Sequence, residues 1–104
     1  MKNNNLINAC LACIAACEYC ASQCINMADK DHLRCISLCR DCVEICYLCL
    51  KSNIRDSEYA KHIANLCADI CSACAEECGK FSGHEHCRKC AEACSKCAEQ
   101  CLAA

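Results

Sequence analysis

Nineteen cysteines recur along this chain at steps of three and four residues, strictly alternating, and no other feature limits its fold so tightly. They fall into four blocks: Cys10, Cys13, Cys17, Cys20 and Cys24; Cys35, Cys39, Cys42, Cys46 and Cys49; Cys67, Cys71, Cys74 and Cys78; and Cys87, Cys90, Cys94, Cys97 and Cys101. Such steps average about 3.5 residues, the period of the a and d seam in a coiled coil or antiparallel bundle, so each block reads as one helix carrying a cysteine stripe on one face. Every a and d position inside the blocks is cysteine, and no cysteine lies elsewhere.

The flanking e and g positions are small or aliphatic, among them Ile14, Ile36, Leu38, Val43, Ile45, Ile63, Ile70, Ala91 and Ala98, which widens the buried face to that of a globular bundle. Glu18, Arg40, Asp41, Glu44, Asp69, Glu92, Lys96 and Glu99 fall on the outer faces. Asp29 and Asp31 mark a first turn, Ser52 to Ser57 a second and Gly79 to Gly83 a third, and there is no proline. Ser82 with Glu85 has the spacing of a capping box, and Gly79 suits a helix C-terminus. The pattern predicts helices over 4–28, 31–51, 57–78 and 84–102, in a single domain spanning 1–104. Short connections make consecutive helices antiparallel neighbours, so the expected fold is all-α: an up-down-up-down four-helix bundle with a cysteine-lined core.

Composition supports a core built from sulfur. Of the apolar residues 19 are cysteine and 16 alanine, leaving only 18 Leu, Ile, Val and Phe together. So thin an aliphatic supply accompanies disorder when net charge is high, but the formal charge here is only -2. The same near-neutral balance provides no basic field for nucleic acid or anionic lipid. No run approaches the ~18 consecutive apolar residues of a membrane helix, and Met1 to Leu6 lack the apolar stretch of a secretion leader. The expected setting is the cytoplasm, where thiols stay reduced.

What so many thiols do is the chemical question. A buried cysteine serves well as a small hydrophobe, yet Leu or Ile at the same seam would bury more area without the oxidation hazard. Disulfides within a stripe are opposed by geometry, because helix neighbours three or four apart keep their Cβ atoms about 5–6 Å apart and a disulfide needs about 3.5–4.5 Å. Thiol-disulfide exchange is another reading, since Cys-x-x-Cys occurs seven times; that motif is redox-active at an exposed helix N-terminus, and these pairs are mid-helix. Zinc and iron-sulfur clusters are the metal alternatives, each usually taking four cysteines from turns or wrapping loops.

Cu(I) is soft, prefers thiolate and thioether, and accepts few ligands, so neighbouring sulfurs on one face can share ions. Eight Cys-x-x-x-Cys pairs suit this sharing: Cys13/Cys17, Cys20/Cys24, Cys35/Cys39, Cys42/Cys46, Cys67/Cys71, Cys74/Cys78, Cys90/Cys94 and Cys97/Cys101. About one Cu(I) per thiolate leaves the core near neutral, whereas one Zn(II) per thiolate overcharges it. With its inward Cys-x-x-x-Cys pairs on four helices, the chain resembles the bacterial copper storage proteins, in particular their cytosolic branch, along essentially its whole length. The resemblance implies a non-catalytic bundle filled with many Cu(I) ions, commonly assembled as a homotetramer. Outward Leu11, Tyr19, Ile25, Tyr47 and Leu48 are the candidate bundle-to-bundle surface.

The two ends of the expected bundle differ. Continuing the heptads outward places Met27 and His32 on the seam at the end where α-helix one meets two, and His84 and His86 lie at that same end beside Cys87. Thioether and imidazole thus gather where the sulfur stripes stop, as candidate ligands at a copper entrance, and the resemblance implies a similar mouth. The opposite end continues with Leu6, Asn53, Ala60, Ala64 and Ala104, which reads as an apolar plug, while His62 there is a surface residue.

Overall fold

The computed structural model describes residues 3–104. Four helices account for nearly all of them: α1 (Asn4–Met27), α2 (Leu33–Ile54), α3 (Ala60–Gly79) and α4 (Glu85–Ala103), with a single 3-10 turn at Lys30–His32 leading into α2. Met1 and Lys2 of the expected domain lie outside the described residues. At about 1.5 Å per residue the 24 residues of α1 run about 36 Å, which sets the length of a body 41 × 18 × 17 Å. The packed pairs are α1 with α2, α2 with α3, α3 with α4 and α4 with α1, the square of an up-down-up-down bundle.

The cysteine stripes turn inward together. Seventeen of the nineteen are wholly inaccessible, and Cys24 and Cys101 are 1% exposed. The flanking aliphatics close over them: Ile14, Val43, Ile45 and Ala98 are buried, and Ile36, Leu38, Ile63, Ile70 and Ala91 pack half-buried against the core. The charged residues assigned to the outer faces are all exposed. By composition alone α1 is long and apolar enough to cross a membrane, with a window hydropathy of 1.3. That hydropathy comes largely from Cys10, Cys13, Cys17, Cys20 and Cys24 and from Leu6, Ile7 and Ile14, all of which face the bundle interior.

Helix ends depart from the sequence expectations for local reasons. α1 stops where Ala28 turns left-handed (φ 54°) and donates its N–H to the Ile25 carbonyl. The Asp29 carboxylate then accepts from the Asp31 N–H at 2.9 Å, tightening residues 30–32 into a 3-10 turn, so α2 starts at Leu33 rather than at residue 31. At its other end α2 runs three residues past the expected 51. Ser52 and Asn53 continue it by bonding their side chains to the Cys49 carbonyl, and left-handed Asp56 (φ 51°) ends the turn beyond it. That tightened turn, with Ser57 N–H on the Ser52 carbonyl, delays α3 to Ala60. No capping box forms at α4: His84 is the N-cap, and no side chain caps the helix. Gly79 is the last residue of α3 with ordinary right-handed backbone, and Lys80 makes the cap, so the glycine there is not a left-handed stop.

Candidate metal centre

Because all four stripes point to one axis, sulfur meets sulfur throughout the core. Groups of four cysteines recur with all their Sγ atoms within 4.8 Å of one another, among them Cys10/Cys49/Cys67/Cys101, Cys10/Cys46/Cys67/Cys97, Cys13/Cys42/Cys46/Cys71, Cys13/Cys17/Cys42/Cys94 and Cys17/Cys39/Cys74/Cys90. Successive groups share sulfurs, so they form one continuous chain rather than separate sites. Toward the His-bearing end the chain goes on through Cys35 and Cys78, 3.1 Å apart, then through Cys20, Cys24 and Cys87, with Cys24 and Cys87 at 3.8 Å. All nineteen cysteines are free thiols.

Spacing along each helix discriminates between the two recurrent motifs. Six of the eight Cys-x-x-x-Cys pairs bring their sulfurs to 3.8–4.0 Å, namely Cys13/Cys17, Cys20/Cys24, Cys42/Cys46, Cys67/Cys71, Cys74/Cys78 and Cys90/Cys94. Every sulfur contact within a helix joins residues four apart; the seven Cys-x-x-Cys pairs make none. Residues four apart lie nearly above one another, with both side chains tilted toward the helix N-terminus, whereas residues three apart diverge around the axis. A metal–sulfur bond of about 2.3 Å spans the four-apart pairs. Redox exchange through Cys-x-x-Cys needs an exposed thiolate, and every one of these cysteines is buried.

Thiol acidity follows burial and mutual hydrogen bonding. Burial pushes the Cys87 thiol up to about 12 from the usual 9.0, with the neighbouring Cys24 sulfur adding to the effect. Cys24 is raised for the same first reason. Deeper in, sulfur-to-sulfur hydrogen bonds dominate: Cys17, Cys39, Cys46 and Cys78 are raised by their cysteine neighbours. Their partners Cys13, Cys35, Cys74, Cys90, Cys97 and Cys101 are lowered by the same sulfur hydrogen bonds, so protons are shared unevenly along the core, and a cation entering beside the raised thiols must displace them. A raised folded-state pKa stabilises the fold fully below the unfolded value and loses that contribution as pH climbs through the folded value. Melting of the reduced, metal-free protein at several pH values should accordingly show a midpoint that falls as Cys87 loses its proton between pH 9.0 and about 12; a midpoint unchanged over that window would contradict the assignment.

The imidazoles occupy one end, to different depths. His32 is 2% exposed, and its Nδ1 lies 3.5 Å from the Cys24 sulfur. His84 is exposed and meets the His32 ring edge-on at 5.5 Å between centroids. His86 is half-buried, 5.6 Å from His84, with a buried Nε2 that has no hydrogen-bond partner; burial lowers its pKa, as do the other two imidazoles. Met27 ends α1 half-buried, outside the sulfur hydrogen-bond network. At the opposite end Leu6, Ala64 and Asn53 are buried, and Asn53 both accepts from the Asn3 amide at 2.9 Å and donates toward the Cys49 sulfur at 3.7 Å. Ala60 is only half-buried and Ala104 exposed, because the chain end lies beyond the last seam layer, so those two do not plug the core. His62 is exposed.

Two residues at the His-bearing end escaped the reading of the sequence. Glu77 is 5% exposed and holds Arg34 at 2.7 Å and Lys80 at 2.9 Å, both on Oε1; Lys80 and Arg34 keep its carboxyl below the ordinary range despite burial. Phe81 stacks on the His32 ring at 3.9 Å and 30°. The seam itself signalled both, since Glu77 precedes Cys78 at a flanking g position and Phe81 is the next seam position after it.

A square four-helix bundle whose interior is a continuous chain of thiols defines a protein that binds soft metal ions in number. The family is settled by sequence: the sequence model described as copper storage protein matches residues 1–104, and the chain belongs to that family. An uncharacterized cysteine-rich protein, YhjQ of Bacillus subtilis (strain 168), is 49% identical over 85 residues, which cover 81% of this chain and 78% of that protein. Among solved structures, the Cu(I)-bound copper storage protein BsCsp3 of Bacillus subtilis is similar at a TM-score of 0.89 and 47% identity, over 94% of this chain and 92% of that one. A cytosolic copper storage protein from Streptomyces lividans, carrying five coppers, matches at a TM-score of 0.89 and 34% identity, over 97% of this chain and 89% of that one.

Proposed function

We propose that this protein is a cytosolic store for Cu(I), holding about one ion per cysteine with all nineteen seam thiolates as ligands. The carrying observation is the unbroken run of shared cysteine tetrads with four-apart sulfur pairs at 3.8–4.0 Å. Sharing suits an ion that takes two or three soft ligands, and one positive charge per thiolate leaves the buried core neutral. The Cu(I)-bound and copper-loaded relatives support the choice of metal, and the cytosolic relative supports the compartment. The role is storage without catalysis, since every thiol is sealed from substrate.

Copper passes through the end bearing His32, His84, His86 and Met27, where imidazole nitrogen meets the last cysteine of the stripe. The protein assembles as a homotetramer through an apolar outer surface that includes Leu11, Tyr19, Ile25, Tyr47 and Leu48, each at least 42% exposed. Metal identity is tested by challenging the copper-loaded protein, anaerobically, with excess Zn(II). Copper should stay bound; ready displacement would assign the core to zinc, and a brown product with acid-labile sulfide on reconstitution with iron would assign it to iron-sulfur clusters.

A further inference from the structure

His32 is the innermost imidazole, yet in this structure it is almost as inaccessible as the cysteines behind it. One face of its ring is covered by Phe81, its edge is met by His84, and Nδ1 is turned to Cys24. An ion arriving from solvent therefore finds a closed end. Phe81 sits in the connection between α3 and α4, and that connection is tied down. Its N–H donates to the Cys78 carbonyl at 3.0 Å, its carbonyl accepts from the His84 N–H at 2.9 Å, and the adjacent Lys80 binds Glu77. Glu77 in turn binds Arg34, across on α2, one residue before Cys35. The buried carboxylate thus joins three parts: α3, the turn carrying Phe81, and the start of α2 beside His32.

We propose that Phe81 is a gate over His32 and that the Arg34–Glu77–Lys80 cluster is its latch, so that the turn must lift before copper or any reagent reaches Cys24. The inference rests on this end being the copper entrance. Its chemistry is steric and electrostatic. The ring excludes water and hydrated ions from a soft ligand pair, and the latch draws its strength from a carboxylate that has only these two cations to replace its lost hydration. Both cations keep more than half of their side chains in solvent, so the latch is loosened by salt. Phe81 and Glu77 are positioning residues here and ligate nothing.

Access is read without copper by alkylating the reduced, metal-free protein briefly with a maleimide and mapping which cysteines react. Losing an aromatic stack and its cover should make Cys24 and Cys87 react about tenfold faster in Phe81→Ala. Cys10 and Cys101, at the far end, should keep their rates, and Phe81→Tyr should restore the slow reaction. Glu77→Gln, which keeps shape but not charge, should accelerate the same two thiols. Equal acceleration at both ends, no acceleration at Cys24, or failure of Phe81→Tyr to restore protection would each overturn the gate. The rate of Cu(I) uptake separates this from the entrance itself. If His32→Ala leaves uptake unchanged while Phe81→Ala still exposes Cys24, the gate stands and the entrance reading fails.

Discussion

Loading with Cu(I) should carry the protein from ordinary stability to resistance to heat. The metal-free core is made of cysteine and alanine with a thin aliphatic surround, and its thiols offer one another only weak hydrogen bonds. A domain of this size rarely exceeds about 5–15 kcal/mol of stability. Each ion that binds only the folded chain, at a thousandfold its dissociation constant, adds about 4 kcal/mol, so a few ions match the whole of that figure. Bound copper also bridges helices: the group Cys13/Cys42/Cys46/Cys71 draws on α1, α2 and α3, and Cys17/Cys39/Cys74/Cys90 on all four. Calorimetry should find cooperative unfolding of the metal-free protein and no transition below about 90 °C once loaded. A midpoint that moves by only a few degrees would mean that copper is held at the surface or by the unfolded chain.

The same stripe made most of the fold legible in advance. A cysteine at every a and d position leaves one solution to the helix phase, and the helix count, antiparallel order and inward face follow from it. Helix ends were less legible because they depend on local hydrogen bonding that no periodicity carries. Asn53 and Ser52 extend α2 by bonding the Cys49 carbonyl, and Asp29 winds the 3-10 turn that delays α2. His32 was visible because it lies in seam register, and it is the deepest of the imidazoles; His84, out of register, is exposed. Glu77 was missed because a glutamate beside another glutamate, Glu76, reads as solvated surface. Its burial depends on Arg34, forty-three residues away in sequence, and such a partner is invisible to any local window. Phe81 keeps the seam register but sits among Gly79, Ser82 and Gly83, turn residues that end the helical period on which register depends.

Counting ions and protons together tests the central claim most directly. Metal-free protein, fully reduced, is titrated anaerobically with Cu(I) in competition with a chelator of known affinity, while the protons released are measured in weakly buffered solution. Metal takes the thiolate, and burial keeps Cys24 and Cys87 protonated near neutral pH, so copper entering beside them must displace protons. The predicted result is saturation near one ion per thiol, approaching the nineteen cysteines of the chain, with protons released as the ions enter. Saturation after one or two ions, or uptake without proton release, would contradict a thiolate-filled store.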